Sequence, residues 1–100
     1  MTYDVVWPLS PKGVETHELA PRLASLDGAT VGFLWDYLFR GDEIFPVLAD
    51  ALRARYPGLT IVDWDVFGNT HGPDEAEIIA GLPERLAANR VDAVVSAMGC

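Results

Sequence analysis

The chain has 100 residues, half of them apolar and 22% charged, with 9 Gly and 7 Pro, which is the composition of one small globular domain and not of a disordered segment. Lys and Arg number 7 against 15 Asp and Glu, a formal charge of −8, and that field repels phosphate backbones and anionic lipid, so no nucleic acid and no membrane is expected as a partner. The single cysteine excludes an internal disulfide framework and a cysteine-clustered zinc site.

The first residues, Met1-Thr2-Tyr3-Asp4, have neither the basic nor the apolar region of a secretory signal, and no apolar run nears the roughly 20 residues of a membrane span. A cytoplasmic location is the expectation. Residues 1–29 read as an arm lying over a body or over a partner. Tyr3 to Pro8 forms a short extended piece, Pro8 to Gly13 breaks it, and residues 14–29 show no clean period.

From residue 30 to 100 the pattern is that of an α/β half-domain. Thr30 to Trp35 is a short, nearly continuous apolar run after the turn signal Asp27-Gly28, as in a strand buried on both faces. Glu43 to Tyr56 follows the helical period, with Ile44, Leu48, Ala51, Leu52 and Arg55 on one face. Pro46 is expected in its first turn, Arg53 and Arg55 in its last, and Pro57-Gly58 ends it.

Leu59 to Phe67 is a second strand, with Asp63 and Asp65 on one partly wet face. Pro73-Asp74-Glu75 opens a second helix that Pro83 is expected to kink or split. Asp92 to Ala97 is a third strand, again nearly continuous and apolar. The order β-α-β-α-β implies parallel strands joined by right-handed crossovers. The expected architecture is a three-layer open parallel α/β sheet of order 2-1-3, incomplete on its own and completed by a partner chain.

In such sheets chemistry collects at the carboxyl ends of the strands, where three loops meet here. Cys100, just past the third strand and after Gly99, is the candidate nucleophile, because a thiol at such an edge is exposed and is activated if a helix follows. Its bland alternative is an ordinary free thiol. His71 is the candidate general acid or base, against an exposed loop histidine. Asp36 and Arg40 in the first loop, with Asn69 and Thr70 in the second, are candidate substrate-binding groups. Against this stands a helix-capping Asp36 or Asp42 and a solvated Arg40. His17 in the arm is a weaker candidate. Gly41 stands alone, with neither GxGxxG nor a Walker A loop, so nucleotide binding has no support. Asp63 and Asp65 are too few to name a metal, and the cofactor is unknown; at a junction with a partner, Cys100 or His71 can each offer one metal ligand. Trp7, Trp35 and Trp64 read as packing or interface residues.

The segments Leu19 to Leu23 and Leu26 to Trp35 resemble the opening of the UGSC family, named for a selenocysteine- or cysteine-Gly-Ser-Cys motif. Asp92-Ala93-Val94-Val95-Ser96-Ala97-Met98-Gly99-Cys100 resembles the strand that runs directly into that motif. In the aligned family the reactive residue and its Gly-Ser-Cys follow this strand, and Cys100 falls one position before it; a one-residue shift makes Cys100 that residue. Two accounts fit: the N-terminal subunit of a split enzyme, or a reading frame ending at a UGA codon for selenocysteine. A more distant likeness, carried only by the layout of a strand followed by a cysteine, is to the aspartate/glutamate racemase type of α/β domain.

Two functional expectations result. In the first, the chain is a subunit or N-terminal half of a thiol- or selenol-dependent enzyme acting on a small organic molecule, its site shared with a second polypeptide. In the second, it is a non-catalytic α/β subunit that stabilises or regulates a partner protein.

Overall fold

The structure, a computed structural model, describes residues 1–9 and 13–99. It contains β1 (Thr30–Trp35), α1 (Gly41–Arg55), β2 (Thr60–Val62), a 3-10 turn (Trp64–Val66), α2 (Glu75–Ala88) and β3 (Ala93–Ala97). The three strands form one parallel sheet of order β2-β1-β3. Thr30 pairs with Thr60 on one side of β1, and Val31 to Trp35 pair with Ala93 to Ala97 on the other. The α/β class, the parallel sheet and its 2-1-3 order are as the apolar runs imply.

β1 is central because its sequence tolerates burial on both faces. Val31, Phe33 and Trp35 point to the α1 side, where Phe33 stacks on Phe45 with ring centroids 4.6 Å apart. Gly32 points the other way, and a Cβ there would lie 3.2 Å from Val91 and 3.3 Å from Phe67, so a larger residue would press on Phe67, which packs fully buried beneath the sheet. β1 to β2 and β2 to β3 run in opposite directions across the sheet. Right-handed crossovers then put α1 and α2 on opposite faces, giving three layers.

Four local expectations are corrected. The core face of α1 is set by Gly41, Phe45 and Ala49, with Leu48, Leu52 and Tyr56 half-buried, while Ile44 and Ala51 are exposed. The stacking of Phe45 on Phe33 rotates the helix by about one residue from the predicted stripe. Pro46 is the sixth helical residue and lies in the second turn; it is exposed, so the Asp42 carbonyl it leaves unbonded faces water.

β2 ends at Val62 and does not run to Phe67. The Asp63 carboxylate accepts the Trp64 N–H at 2.8 Å and starts the 3-10 turn, so Asp63 and Asp65 do not share a strand face. α2 begins at Glu75, two residues after Pro73, and runs unbroken through Pro83, which sits on its exposed side.

The arm lies ahead of β1 in the chain. Its described residues are exposed as far as Ser25, and Leu26 is the first to be half-buried. Residues 19–23 and Leu26 line a shallow cleft with Asp92 and Ala93, but Tyr3, Val5, Val6 and Trp7 touch no core. The radius of gyration of 18.7 Å, against about 13 Å for a compact chain of this length, reflects that arm.

Candidate functional site

The carboxyl end of β1 is where the sheet reverses its winding, since its two neighbours are reached by crossovers on opposite faces. That crevice, between β1 and β3, is the ordinary ligand position of open α/β sheets. Here it is closed by a set of backbone bonds that converge on Trp35 and Asp36. The Asp36 N–H donates to the Ala97 carbonyl at 3.2 Å, and the Thr70 N–H donates to the Trp35 carbonyl at 3.2 Å. Trp35 also forms a parallel bridge with Asn69, so the loop after the 3-10 turn returns to pair with β1.

The half-buried Asp36 side chain is the hub of this edge. Its Oδ1 accepts the N–H of Leu38 at 3.2 Å and the N–H of Met98 at 3.1 Å. One bond turns the β1–α1 loop, and the other fixes the chain leaving β3. Asp36 therefore positions backbone two residues before Cys100, and its Oδ1 has a structural task in place of a free catalytic one. Asn69 works in the same way, its Oδ1 accepting the His71 N–H at 2.9 Å.

Three sequence-derived candidates, Asp36, Asn69 and Thr70, are thus brought together at the end of β1. Arg40 is joined to none of them by a hydrogen bond or ion pair among the described residues, and His71 only through its backbone N–H, which Asn69 Oδ1 accepts. The Arg40 guanidinium pairs with Glu43 at 2.6 Å, both side chains mostly in solvent, and His71 Nδ1 lies 3.6 Å from the Glu75 carboxylate on the surface of α2. Pairs this exposed are worth little energetically and leave both groups open to solvent. Cys100 lies outside the described residues.

Trp35 and Trp64, expected as packing residues, form an aromatic wall beside this edge with Tyr37, whose part in it was not expected. Trp35, Tyr37 and Trp64 pack with centroids 4.7 to 5.4 Å apart, two of the three pairs edge to face. The Trp35 indole N–H donates to the Leu38 carbonyl at 2.8 Å, and a Cβ on Gly41 would collide with that indole. The loop reaches this packing through left-handed backbone at Tyr37, Phe39 and Arg40, with φ of 62°, 54° and 55°. Such conformations in bulky residues cost of order 1–2 kcal/mol each and concentrate at functional edges. The usual signal, a glycine or asparagine at those positions, is missing from Tyr37-Leu38-Phe39-Arg40.

Among the described residues no group of three or more His, Cys, Asp or Glu is placed to hold a metal ion. No helix among them is long and apolar enough to cross a membrane. A family model described as the UGSC family matches residues 4–100. No curated protein and no solved structure matches the chain.

Proposed function

The chain belongs to the UGSC family, and on that footing we propose that it supplies one half of a thiol- or selenol-dependent active site at the carboxyl edge of its sheet. The second half comes from another polypeptide, and the substrate is a small organic molecule. The observation that carries this reading is the Asp36 clamp. One carboxylate oxygen ties the end of β1 to Met98, so the chain leaves β3 from a fixed point at the β1–β3 crevice, two residues ahead of Cys100 in the sequence.

In this reading Cys100 attacks or is oxidised, and Asp36, Asn69 and Thr70 hold the loops around it. His71 and Arg40 are the solvent-facing groups free to move a proton or meet a substrate carboxylate. The protein works in the cytoplasm, where a thiol stays reduced. The reaction belongs to the chemistry of an activated sulfur: addition–elimination at a carbon, or thiol–disulfide or peroxide redox.

The test is the alkylation rate of Cys100 by iodoacetamide near neutral pH, followed by intact mass, in the native assembly and in the isolated chain. A rate at least tenfold above that of a free cysteine peptide in the assembly, abolished by Cys100→Ser, supports the proposal. A rate equal to the peptide's in both states refutes it.

A second reading, a non-catalytic subunit that stabilises a partner, has its own support. The side-chain acceptors of Asp36 and Asn69 both serve backbone N–H groups of their own chain. In that case Cys100→Ser leaves the function of the assembly untouched, whereas loss of the chain destabilises its partner.

A further inference from the structure

We infer that the open side of β3 and the outer face of α2 form one docking surface for a helix-and-strand unit of the second polypeptide. The helix of that unit carries an apolar stripe bordered by Lys or Arg, and its strand adds to β3. This rests on the proposed shared site and goes beyond it by naming the contact face and the partner's chemistry.

α2 is apolar on too much of its circumference for a helix covered on one side. Ile78, Leu82 and Leu86 are half-buried toward the sheet, yet Ala76, Ile79, Ala80, Pro83 and Ala87 are exposed. At 3.6 residues per turn these two sets span about 200° of the helix, twice the roughly 100° of a one-sided surface helix. Ile79, 47% exposed, stands above the small side chains of Ala76 and Ala80, a shape that admits a second helix at close range.

β3 shows the matching deficit. Its Ala93, Val95 and Ala97 pack on the α1 side, but Val94 and Ser96, on the α2 side, are exposed. Its outer edge pairs with no strand among the described residues, because β3 is terminal in the order β2-β1-β3, and arm residues line a cleft only at its start, beside Asp92 and Ala93. Edge strands are normally blunted by charge, proline or shortness. β2, the other edge, is 3 residues long and turns at once into a 3-10 helix. Ala93-Val94-Val95-Ser96-Ala97 has none of these protections.

The two deficits are contiguous. Val94 and Ser96 lie on the face of the sheet that α2 covers, so a helix laid beside α2 also covers Val94 while its strand pairs with the outer edge of β3. One helix then covers both bare surfaces.

Charge selects the occupant. Glu77 and Glu84 border the exposed stripe of α2 and Glu75 closes its first turn, while Arg85 turns inward to donate to the Phe67 carbonyl at 3.0 Å. Asp92 stands at the start of β3. A second copy of the chain, itself at −8, sets the same acidic border against its own. A basic-bordered helix from a different polypeptide matches it.

The experiment purifies the untagged protein from its own source as the native assembly, with four chains compared: wild type, Ile79→Glu with Ala80→Glu, Val94→Glu, and Val47→Glu. Val47, 70% exposed on α1, is an equally apolar surface position away from the docking face. Thermal melting of each isolated chain checks folding, which these exposed positions should leave unchanged. Native mass spectrometry reads the fraction assembled, and hydrogen exchange maps protection on wild type. Expected are at least a tenfold loss of assembly for the first two variants, none for Val47→Glu, and new protection over α2 and β3. An assembly that survives Ile79→Glu with Ala80→Glu, protection confined to the arm or β2, or a homodimer overturns this docking surface. If no second polypeptide is bound by wild type at all, the shared-site reading fails with it, and the two failures are distinct.

Discussion

Replacing Asp36 separates a clamp from an acid–base group. Its Oδ1 takes two backbone N–H groups, from Leu38 and Met98, at 3.2 and 3.1 Å, in a half-buried crevice. A hydrogen bond to a charged group is worth about 1.5–3 kcal/mol net, and long bonds with partial water access fall at the low end. Asp36→Ala strands both donors and should cost about 2–4 kcal/mol. Asp36→Asn keeps an acceptor oxygen in the same place and gives up only the charge, about 1 kcal/mol. For a small domain with a total stability of about 5–15 kcal/mol both losses are measurable. The assay is urea unfolding of the isolated chain, followed through Trp35 and Trp64 fluorescence and extrapolated linearly to water. If Ala costs less than Asn, or if neither moves the midpoint, Asp36 does not hold the crevice together and its role must be sought in chemistry.

Three other substitutions test the surrounding structure by the same unfolding assay. Phe45→Ala removes a fully buried ring stacked on Phe33 and should cost about 3–5 kcal/mol; a loss under about 1 kcal/mol would show that α1 does not seat there. Gly41→Ala drives a methyl into the Trp35 indole and should cost about 1–3 kcal/mol, with a changed near-UV tryptophan signal. Arg40→Gly relieves left-handed backbone at the start of α1 and loses only an exposed pair with Glu43, so it should stabilise by up to about 1 kcal/mol. Any destabilisation beyond about 0.5 kcal/mol refutes that reading of the loop.

What was legible in the chain was whatever burial alone dictates. Val31 to Trp35 must lie between two layers, so the central strand, its parallel neighbours and the sheet order followed from hydrophobic runs and loop lengths. Features set by one side-chain contact were not legible. The turn of α1 toward Phe45 depends on Phe33 lying opposite, and the end of β2 depends on the Asp63 carboxylate preferring its neighbour's N–H to a strand. Pro83 was misleading because a missing N–H matters little when the carbonyl it abandons is wet.

At the candidate site, the loop clustering was predictable from topology, and Asp36, Asn69 and Thr70 do meet at the end of β1. Their employment as backbone acceptors, donors and bridge partners was not readable, since short polar side chains in loops serve ligands and turns with the same atoms. The aromatic wall was hidden for a related reason: Tyr37 adopts backbone that its own chemistry disfavours, held there by packing on Trp35 and Trp64.

The most direct test of the shared-site account is native mass spectrometry of the untagged protein purified from its own source, with intact masses of every component. The account predicts an assembly in which this chain is bound to a second, different polypeptide. A lone monomer of the 100-residue chain, or a native chain that continues past Cys100 and completes the sheet itself, contradicts it.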